Sequence, residues 1–168
     1  MTSLFVIGGA RSGKSRLAQA RVEELPGTLA FIATAEPHDA EMAERVAQHR
    51  ADRGPRWIAY EAPLDLGFAI SRAQEEADAI LVDCVTLWLS NLMHAGRDIE
   101  AAVSALEPIV QRSHVPIALV SNEVGGGIVP ANALARRFRD HAGRINQRLA
   151  AASDEVVMVA AGLPLRLK

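Results

Sequence analysis

Residues 8–15 read Gly8-Gly9-Ala10-Arg11-Ser12-Gly13-Lys14-Ser15, an instance of G-x-x-x-x-G-K-[ST] set directly after the apolar run 4–7 and at the opening of a helical stretch, 14–24. Few sequence features restrict a fold so tightly. The glycines let the backbone curl until several N–H groups face one anion, and the helix that follows turns its positive end toward the same point. That works only as a strand, a turn and a helix in this order, so the chain is expected to carry a phosphate-binding P-loop at residues 8–15. In such a loop Lys14 would bridge the outer phosphates of a purine nucleoside triphosphate, and the Ser15 hydroxyl would ligate Mg²⁺.

The rest of the chain repeats the theme. Residues 4–7, 29–33, 79–82, 116–120 and 156–161 are short continuous apolar runs bounded by Gly, Pro or polar residues, the pattern of strands buried on both faces. Between them lie stretches with helical spacing at 14–24, 39–52, 64–76, 85–94, 99–112 and 132–152. Alternation of this kind predicts an α/β fold, a mainly parallel sheet flanked by helices on both faces. Residues 56–60 and 163–167 are candidate edge strands, the second antiparallel after the turn at 162–164. At 168 residues, with 49% hydrophobic side chains and neither repeat nor long linker, residues 1–168 are expected to form one nucleotide-binding domain.

Charge narrows the ligand. The formal net charge is −2, and the basic side is made of sixteen arginines with only two lysines, Lys14 and Lys168. Nucleic-acid binding normally shows as clustered positive charge with aromatic platforms, which this chain lacks, so a small molecule is the expected partner. Cys84 stands alone and no leader is evident, which points to the cytoplasm. The longest apolar runs fall far below the ~20 residues of a membrane span.

Two further positions carry chemistry. The run 79–82 ends in Asp83, where a P-loop protein places its Mg²⁺-side acid; the competing reading is an Asp at the start of the next helix. Glu41, Arg45 and His49 follow at i+4 steps, so one helix face presents an imidazole beside a guanidinium. Neutral imidazole can attack phosphorus to give a phosphoramidate. By spacing alone a surface histidine with an ion-pair neighbour is the commoner reading.

The residues now assembled resemble a known family. GGARSGKS at 8–15, IAT at 32–34, EMAERVAQHR at 41–50, W-x-x-x-E at 57–61, VDCVTLWLSNLM at 82–93, SNEVGGGIVP at 121–130, RRFRDHAGRINQRLAAASDEV at 136–156 and the terminal G-x-P-x-x-LK together resemble the bifunctional adenosylcobinamide kinase/adenosylcobinamide-phosphate guanylyltransferases of cobalamin synthesis. The resemblance implies a RecA-like P-loop NTPase fold and two reactions. The first phosphorylates the aminopropanol hydroxyl of adenosylcobinamide with ATP or GTP. The second transfers GMP from GTP to give adenosylcobinamide-GDP and pyrophosphate. It places His49 at the guanylylated histidine. Nucleotide contacts fall on Gly8, Gly9, Ala10, Arg11, Ser12, Gly13, Lys14 and Ser15, on Thr34, Ala35 and Glu36, on Arg50 and Arg53, and on Glu61 and Asp83. Ser15 and Asp83 are the Mg²⁺-side residues, and a homo-oligomer, often a trimer, is implied. Some members have Glu at the position of Asp83, and many have a second histidine where this chain has Gln48.

Other features stay open. The stretch 122–127 ends in three glycines and follows a buried strand, which suits either a ligand-side loop or a turn needing positive φ. Arg136, Asp140, Arg144 and Arg148, with Arg137 and Arg139, make a basic stripe read as a salt-bridged face or as a contact for phosphate or another subunit. Trp57 and Trp88 read as core or interface anchors, and His38, His94, His114 and His141 have no metal-ligand spacing. Rival functions are a single-activity P-loop kinase, a GTP-binding regulatory module and a DNA-dependent ATPase. A simple GTP switch does not need the His49 segment, and the chain offers no basic loop or aromatic platform for DNA.

Overall fold

The computed structural model describes residues 3–35 and 54–168. The expected helix at 39–52, and with it Glu36, His49, Arg50 and Arg53, lies outside the described residues.

Seven strands form one sheet: β1 (Ser3–Gly8), β2 (Leu29–Ala33), β3 (Trp57–Glu61), β4 (Ala79–Asp83), β5 (Ile117–Asn122), β6 (Glu155–Ala160) and β7 (Leu163–Arg166). The order across the sheet is β3-β2-β4-β5-β1-β6-β7. All neighbours are parallel except β6 and β7, so the antiparallel edge expected from the sequence is present. The connection between these two is a two-residue turn with Ala161 at φ 50° and Gly162 at φ 80°, the left-handed pair that matches the twist of a hairpin.

The helices are α1 (Lys14–Glu23), α2 (Leu66–Glu76), α3 (Val85–His94), α4 (Ile99–Gln111) and α5 (Ala133–Ala152). Where they pack explains the apolar runs. In β1, Leu4 and Val6 face the cluster built on Ala18 and Val22 of α1, while Phe5 faces a larger cluster supplied by α2 to α5. In β2, β4 and β5 the same alternation sends Leu29, Leu81 and Val120 to one side and Ile32, Ile80 and Leu119 to the other. Both faces are covered, so both halves of the period-two pattern are apolar and the strands read as unbroken runs.

Two helix starts are fixed by side chains that accept the first free amides. Asp98 accepts from the Ala101 N–H, and Asn132 accepts from those of Leu134 and Ala135. The structure shortens one expected helix: α2 begins at Leu66 rather than at residue 64, because Pro63 and Leu64 turn their carbonyls to side chains of α3.

An ion pair links the helix after the P-loop to the sheet. Arg21, in the last turn of α1, donates to both carboxylate oxygens of Glu155 at the start of β6, at 3.2 and 2.7 Å. The hydrogen bond from the guanidinium holds the Glu155 carboxyl below its ordinary range, and burial opposes it. A depressed folded value gives stability that is present above the unfolded pKa of ~4.3 and is lost as pH falls through the folded value. Glu155→Gln should therefore cost up to about 1 kcal/mol at pH 7, as for a partly exposed pair, and less at pH ~3. Urea unfolding of both proteins at the two pH values measures this; an equal gap at both would show that charge is not what the pair contributes.

Candidate nucleotide site

Every parallel strand ends on the same side of the sheet, and those sequence-derived residues that are described lie along that edge. The register aligns Glu61 with Ala33 and Ala33 with Asp83, so these three lie in one row across β3, β2 and β4. Asp83 aligns with Val120, and Val120 with Val6, two residues before Gly8. At ~4.8 Å between strands, Asp83 is about 10 Å from Glu61 on one side and about 10 Å from β1 on the other.

Residues 8–13 close into a tight loop between β1 and α1. The Ser12 N–H donates to the Gly9 carbonyl at 3.3 Å, Arg11 adopts φ 54°, and Gly13 adopts φ 97° as the residue capping α1. Holding a non-glycine residue in the left-handed region costs ~1–2 kcal/mol, and such strain persists where surrounding structure over-determines it. The β6–β7 turn supplies that support, with the Gly162 N–H donating to the Ser12 carbonyl at 2.8 Å. Lys14 opens α1 almost fully buried, 8% exposed, and its Nζ donates to the Gly9 carbonyl at 3.1 Å across the mouth of the loop. An ammonium in that place satisfies itself with a backbone oxygen that an anionic ligand can replace.

The Ser12 Oγ and the Asn122 Oδ1 are buried and have no hydrogen-bond partner among the described residues. They flank Gly8, Ser12 beneath it and Asn122 paired with it in register. A buried unpaired hydroxyl costs ~1–3 kcal/mol, which a phosphate oxygen would relieve.

Asp83 closes β4, and the capping position of α3 is taken by Cys84, whose side chain makes no capping bond. Burial pushes the Cys84 thiol up to about 11, so it stays protonated at neutral pH and is no nucleophile. Ser15 and Asp83 would offer a hydroxyl and a carboxylate oxygen, the hard donors suited to Mg²⁺. Among the described residues no group of three or more His, Cys, Asp or Glu side chains is placed to hold a metal ion.

Helix α3 frames this edge through residues that the sequence did not single out. Thr86 Oγ1 accepts from the Asn122 N–H at 2.6 Å and lies 3.2 Å from Ser121 Oγ, which donates to Asn146 Oδ1 of α5 at 2.7 Å. Asn146 completes the loop by donating to the Asn122 carbonyl at 3.1 Å, and the Glu123 N–H donates to the Gly8 carbonyl at 3.0 Å. On the other side Trp88 Nε1 donates to the Leu64 carbonyl, and Asn91 Nδ2 to the carbonyls of Thr34 and Pro63. The Thr34 hydroxyl is fully buried, donating to the Cys84 carbonyl at 2.7 Å and accepting from its N–H at 2.9 Å. Thr34 is 0% exposed, its carbonyl accepting from Asn91 and its N–H reaching the Asp83 carbonyl, so half-buried Ala35 is the residue of this pair open to a ligand. A signal for this frame existed: Thr86 and Asn91 are polar residues on a helix whose other inward positions are aliphatic or aromatic.

The open alternatives resolve in part. Arg148 pairs with Glu107 and Glu100, Arg136 donates to the carbonyls of Pro130 and Ala131, and Arg139 to that of Gly125, so these three arginines of the stripe are committed within the chain. Trp88 is a core anchor, and Trp57 meets Phe31 edge-on at 6.5 Å. No helix among the described residues is long and apolar enough to cross a membrane.

Comparison with known proteins accords with this arrangement. The bifunctional adenosylcobalamin biosynthesis protein CobU of Salmonella typhimurium is 42% identical over 180 aligned positions, covering 98% of this chain and 99% of its own. Its counterpart CobP of Pseudomonas aeruginosa is 41% identical, covering 98% and 96%. A KaiC-like protein from Pyrococcus horikoshii shares the fold at a TM-score of 0.55 over 94% of this chain and 71% of that one, with 13% identity, a likeness of architecture only. The family described as cobinamide kinase / cobinamide phosphate guanyltransferase matches residues 4–167, from the first strand through the antiparallel edge. With the P-loop and the strand-end carboxylate on one sheet edge and the match running end to end, the chain belongs to the cobinamide kinase / cobinamide phosphate guanyltransferase family.

Proposed function

We propose that the chain phosphorylates adenosylcobinamide with ATP or GTP and then transfers GMP from GTP to the phosphorylated product, with His49 as the group that carries GMP between the two. The observation that supports it most is Lys14, buried at the mouth of the P-loop and held, among the described residues, by a backbone carbonyl. Both reactions move a phosphorus atom of a bound triphosphate, so one cradle serves both, and catalysis is mainly positioning and charge stabilisation.

In the kinase step the substrate hydroxyl attacks the γ-phosphorus, and the bond to the β-phosphate oxygen breaks. In the second step a ring nitrogen of His49 attacks the α-phosphorus of GTP, an N–P bond forms, and pyrophosphate leaves. The phosphate oxygen of the corrinoid then attacks that phosphorus, the N–P bond breaks, and the GDP-linked product forms with the imidazole restored. The amides of residues 8–15 and Lys14 hold the phosphates. Thr34, Ala35, Glu36, Arg50, Arg53 and Glu61 make up the remaining nucleotide contacts. Ser15 and Asp83 would hold Mg²⁺, which when bound neutralises charge on the phosphate oxygens.

The reading extends to one domain over residues 1–168, to the cytoplasm, and to a homo-oligomer, a trimer by family. Ile128 and Val129, 96% and 65% exposed on the loop before α5, are apolar surface that an assembly would cover.

GTP labelled at the α-phosphorus tests the core of this. The wild type should retain label that is acid-labile and base-stable, and adding the phosphorylated corrinoid should discharge it. His49→Ala should retain none while still phosphorylating adenosylcobinamide with ATP. An intact wild type that never takes up label would reduce the protein to a single-activity kinase.

A further inference from the structure

Asn122 is held at the end of β5 by hydrogen bonds of the main chain. Its N–H donates to Thr86 Oγ1 at 2.6 Å, its carbonyl accepts from Asn146 Nδ2 at 3.1 Å, and the N–H of the next residue, Glu123, donates to the Gly8 carbonyl at 3.0 Å. The side chain stands apart from this frame: Oδ1 is buried and has no partner among the described residues. Native structures rarely leave a buried polar atom unbonded, and such an exception points to a ligand or a catalytic role. For the fold alone, a leucine at this point would continue the apolar face of β5 without the penalty.

Alternation along β5 fixes where the amide lies. Ala118 and Val120 pack in the cluster under α1, while Ser121 turns the other way, to Thr86 and Asn146. Asn122 therefore shares the α1 face, over which the P-loop arches from Gly8 to Lys14. Asp83 is on the same face, since Leu81, two residues before it, packs in the same cluster. Asp83 pairs with Val120, so Asn122 stands one strand over and two residues further out, about 8 Å away at ~3.3 Å per residue and ~4.8 Å between strands. With β5 lying between β4 and β1, the amide sits between the strand-end carboxylate and Gly8. The glycines that follow are not demanded by the backbone. None of Gly125, Gly126 and Gly127 has a positive φ, and a Cβ on Gly126 or Gly127 would meet nothing within 4 Å. Bare backbone there leaves room for a ligand beside the strand end.

Chemistry assigns the partner. The loop amides, Lys14 and the Ser12 hydroxyl are donors, and phosphate oxygens accept from them. The side-chain oxygen of Asn122 is an acceptor, which no phosphate oxygen satisfies; it calls for a hydroxyl. We infer that Asn122 is a catalytic residue of the phosphoryl transfer: Oδ1 accepts from the corrinoid hydroxyl that attacks the γ-phosphorus, and Nδ2 donates to an oxygen of the phosphoryl group under attack. The inference rests on the function proposed above. The hydroxyl oxygen forms the new O–P bond, and the bond from phosphorus to the β-phosphate oxygen breaks. The hydroxyl proton passes to an oxygen of the transferred group, because a neutral amide takes up none. Asn122 contributes orientation rather than basicity. An amide suits the task because it offers acceptor and donor side by side, turns about a broad terminal torsion, and brings no charge to repel the phosphates.

ADP release with ATP and adenosylcobinamide, ATP affinity, and a thermal melt of the ligand-free protein test this together. Corrinoid-dependent ADP release by the wild type is the starting point, and its absence would overturn the proposed function and this inference with it. Asn122→Leu keeps the branched shape and removes both polar atoms. It should lower kcat by about 10²–10³-fold, keep the ATP Kd within about fivefold of the wild type, and melt no lower than the wild type. Asn122→Ala should give the same pattern and carries the test if Asn122→Leu does not fold. A kcat within about threefold of the wild type in whichever variant folds overturns the inference, as does a loss of rate matched by falls in melting temperature and ATP affinity. Failure of both variants to fold overturns it too, since the side chain would then be structural.

Discussion

Lys14→Ala should abolish both reactions, lowering each by at least about 10²–10³-fold, while leaving the ligand-free protein no less stable than the wild type. The first half follows from geometry. Lys14 is the only lysine before the C-terminus and stands at the first position of α1, buried, with its Nζ aimed back over the loop at the Gly9 carbonyl. Kinase and guanylyl transfer attack different phosphorus atoms of a triphosphate seated in the same loop, so both lose the same cation. The second half separates this variant from simple damage. Without ligand, Lys14 is a buried ammonium with one neutral acceptor among the described residues, and alanine is the best helix former, so removing the charge relieves desolvation at no helical cost. Titration with GTP and with ATP, both rates, and a thermal melt of the ligand-free protein give the answer together. Full activity in Lys14→Ala would remove the P-loop from the mechanism.

The contrast between Lys14 and Asn91 shows which parts of this molecule a sequence exposes. A P-loop is covalently local: eight consecutive residues fix its geometry, and the flanking run and helix confirm it without any knowledge of the fold. Central strands are nearly as legible, because burial on both faces leaves no polar residue to break the runs at 29–33 or 79–83. β3 is harder to see. Ile58 and Ala59 are exposed at the sheet edge, so its pattern lacks the density of the others. Strand order cannot be read at all, since β1 pairs with β5 and β6 across more than a hundred residues. Asp83 draws attention because a carboxylate ending an apolar run is conspicuous. Which residue caps the next helix needed coordinates, which put Cys84 there.

The frame of the site was least legible. Thr86, Asn91, Ser121 and Asn146 come from two helices and one strand, and each bonds to groups 24 to 57 residues away in sequence. Helical periodicity says which face is buried but not which backbone carbonyl waits opposite a given amide. Thr34 was assigned to the site through resemblance as a nucleotide contact, and its hydroxyl turns out to be spent on Cys84. A nucleotide at that strand end would meet Ala35 rather than the wholly buried Thr34, so any contribution of the threonine runs through the position of β4.

Gly8→Ala should unfold the loop's foundation, whereas Gly9→Ala, one residue on, should leave the stability of the ligand-free protein within about 0.5 kcal/mol of the wild type. A Cβ on Gly8 would stand 2.5 Å from the Val159 carbonyl oxygen and 2.7 Å from Ser12 Oγ, while one on Gly9 meets nothing within 4 Å. The serine hydroxyl can rotate away, but the carbonyl belongs to β6, which is hydrogen-bonded to β1 along five registered pairs from Leu4 to Gly8. Relief therefore requires prising apart two interior strands at the point where the P-loop begins. Overpacking a rigid core costs ~1–3 kcal/mol and occasionally more, and a backbone obstacle places Gly8→Ala at the upper end, about 3 kcal/mol. For a chain of this length that is a fall of roughly 6–12 °C in the melting temperature. The same displacement moves the Gly8 carbonyl from the Glu123 N–H and tilts the amides of residues 9–13, so GTP affinity should drop in step with stability. Thermal melts and GTP titrations on both variants decide it. Gly8→Ala melting within about 2 °C of the wild type and binding GTP normally would mean that the β1–β6 spacing at the loop is soft, and that the phosphate cradle owes its shape to α1 alone.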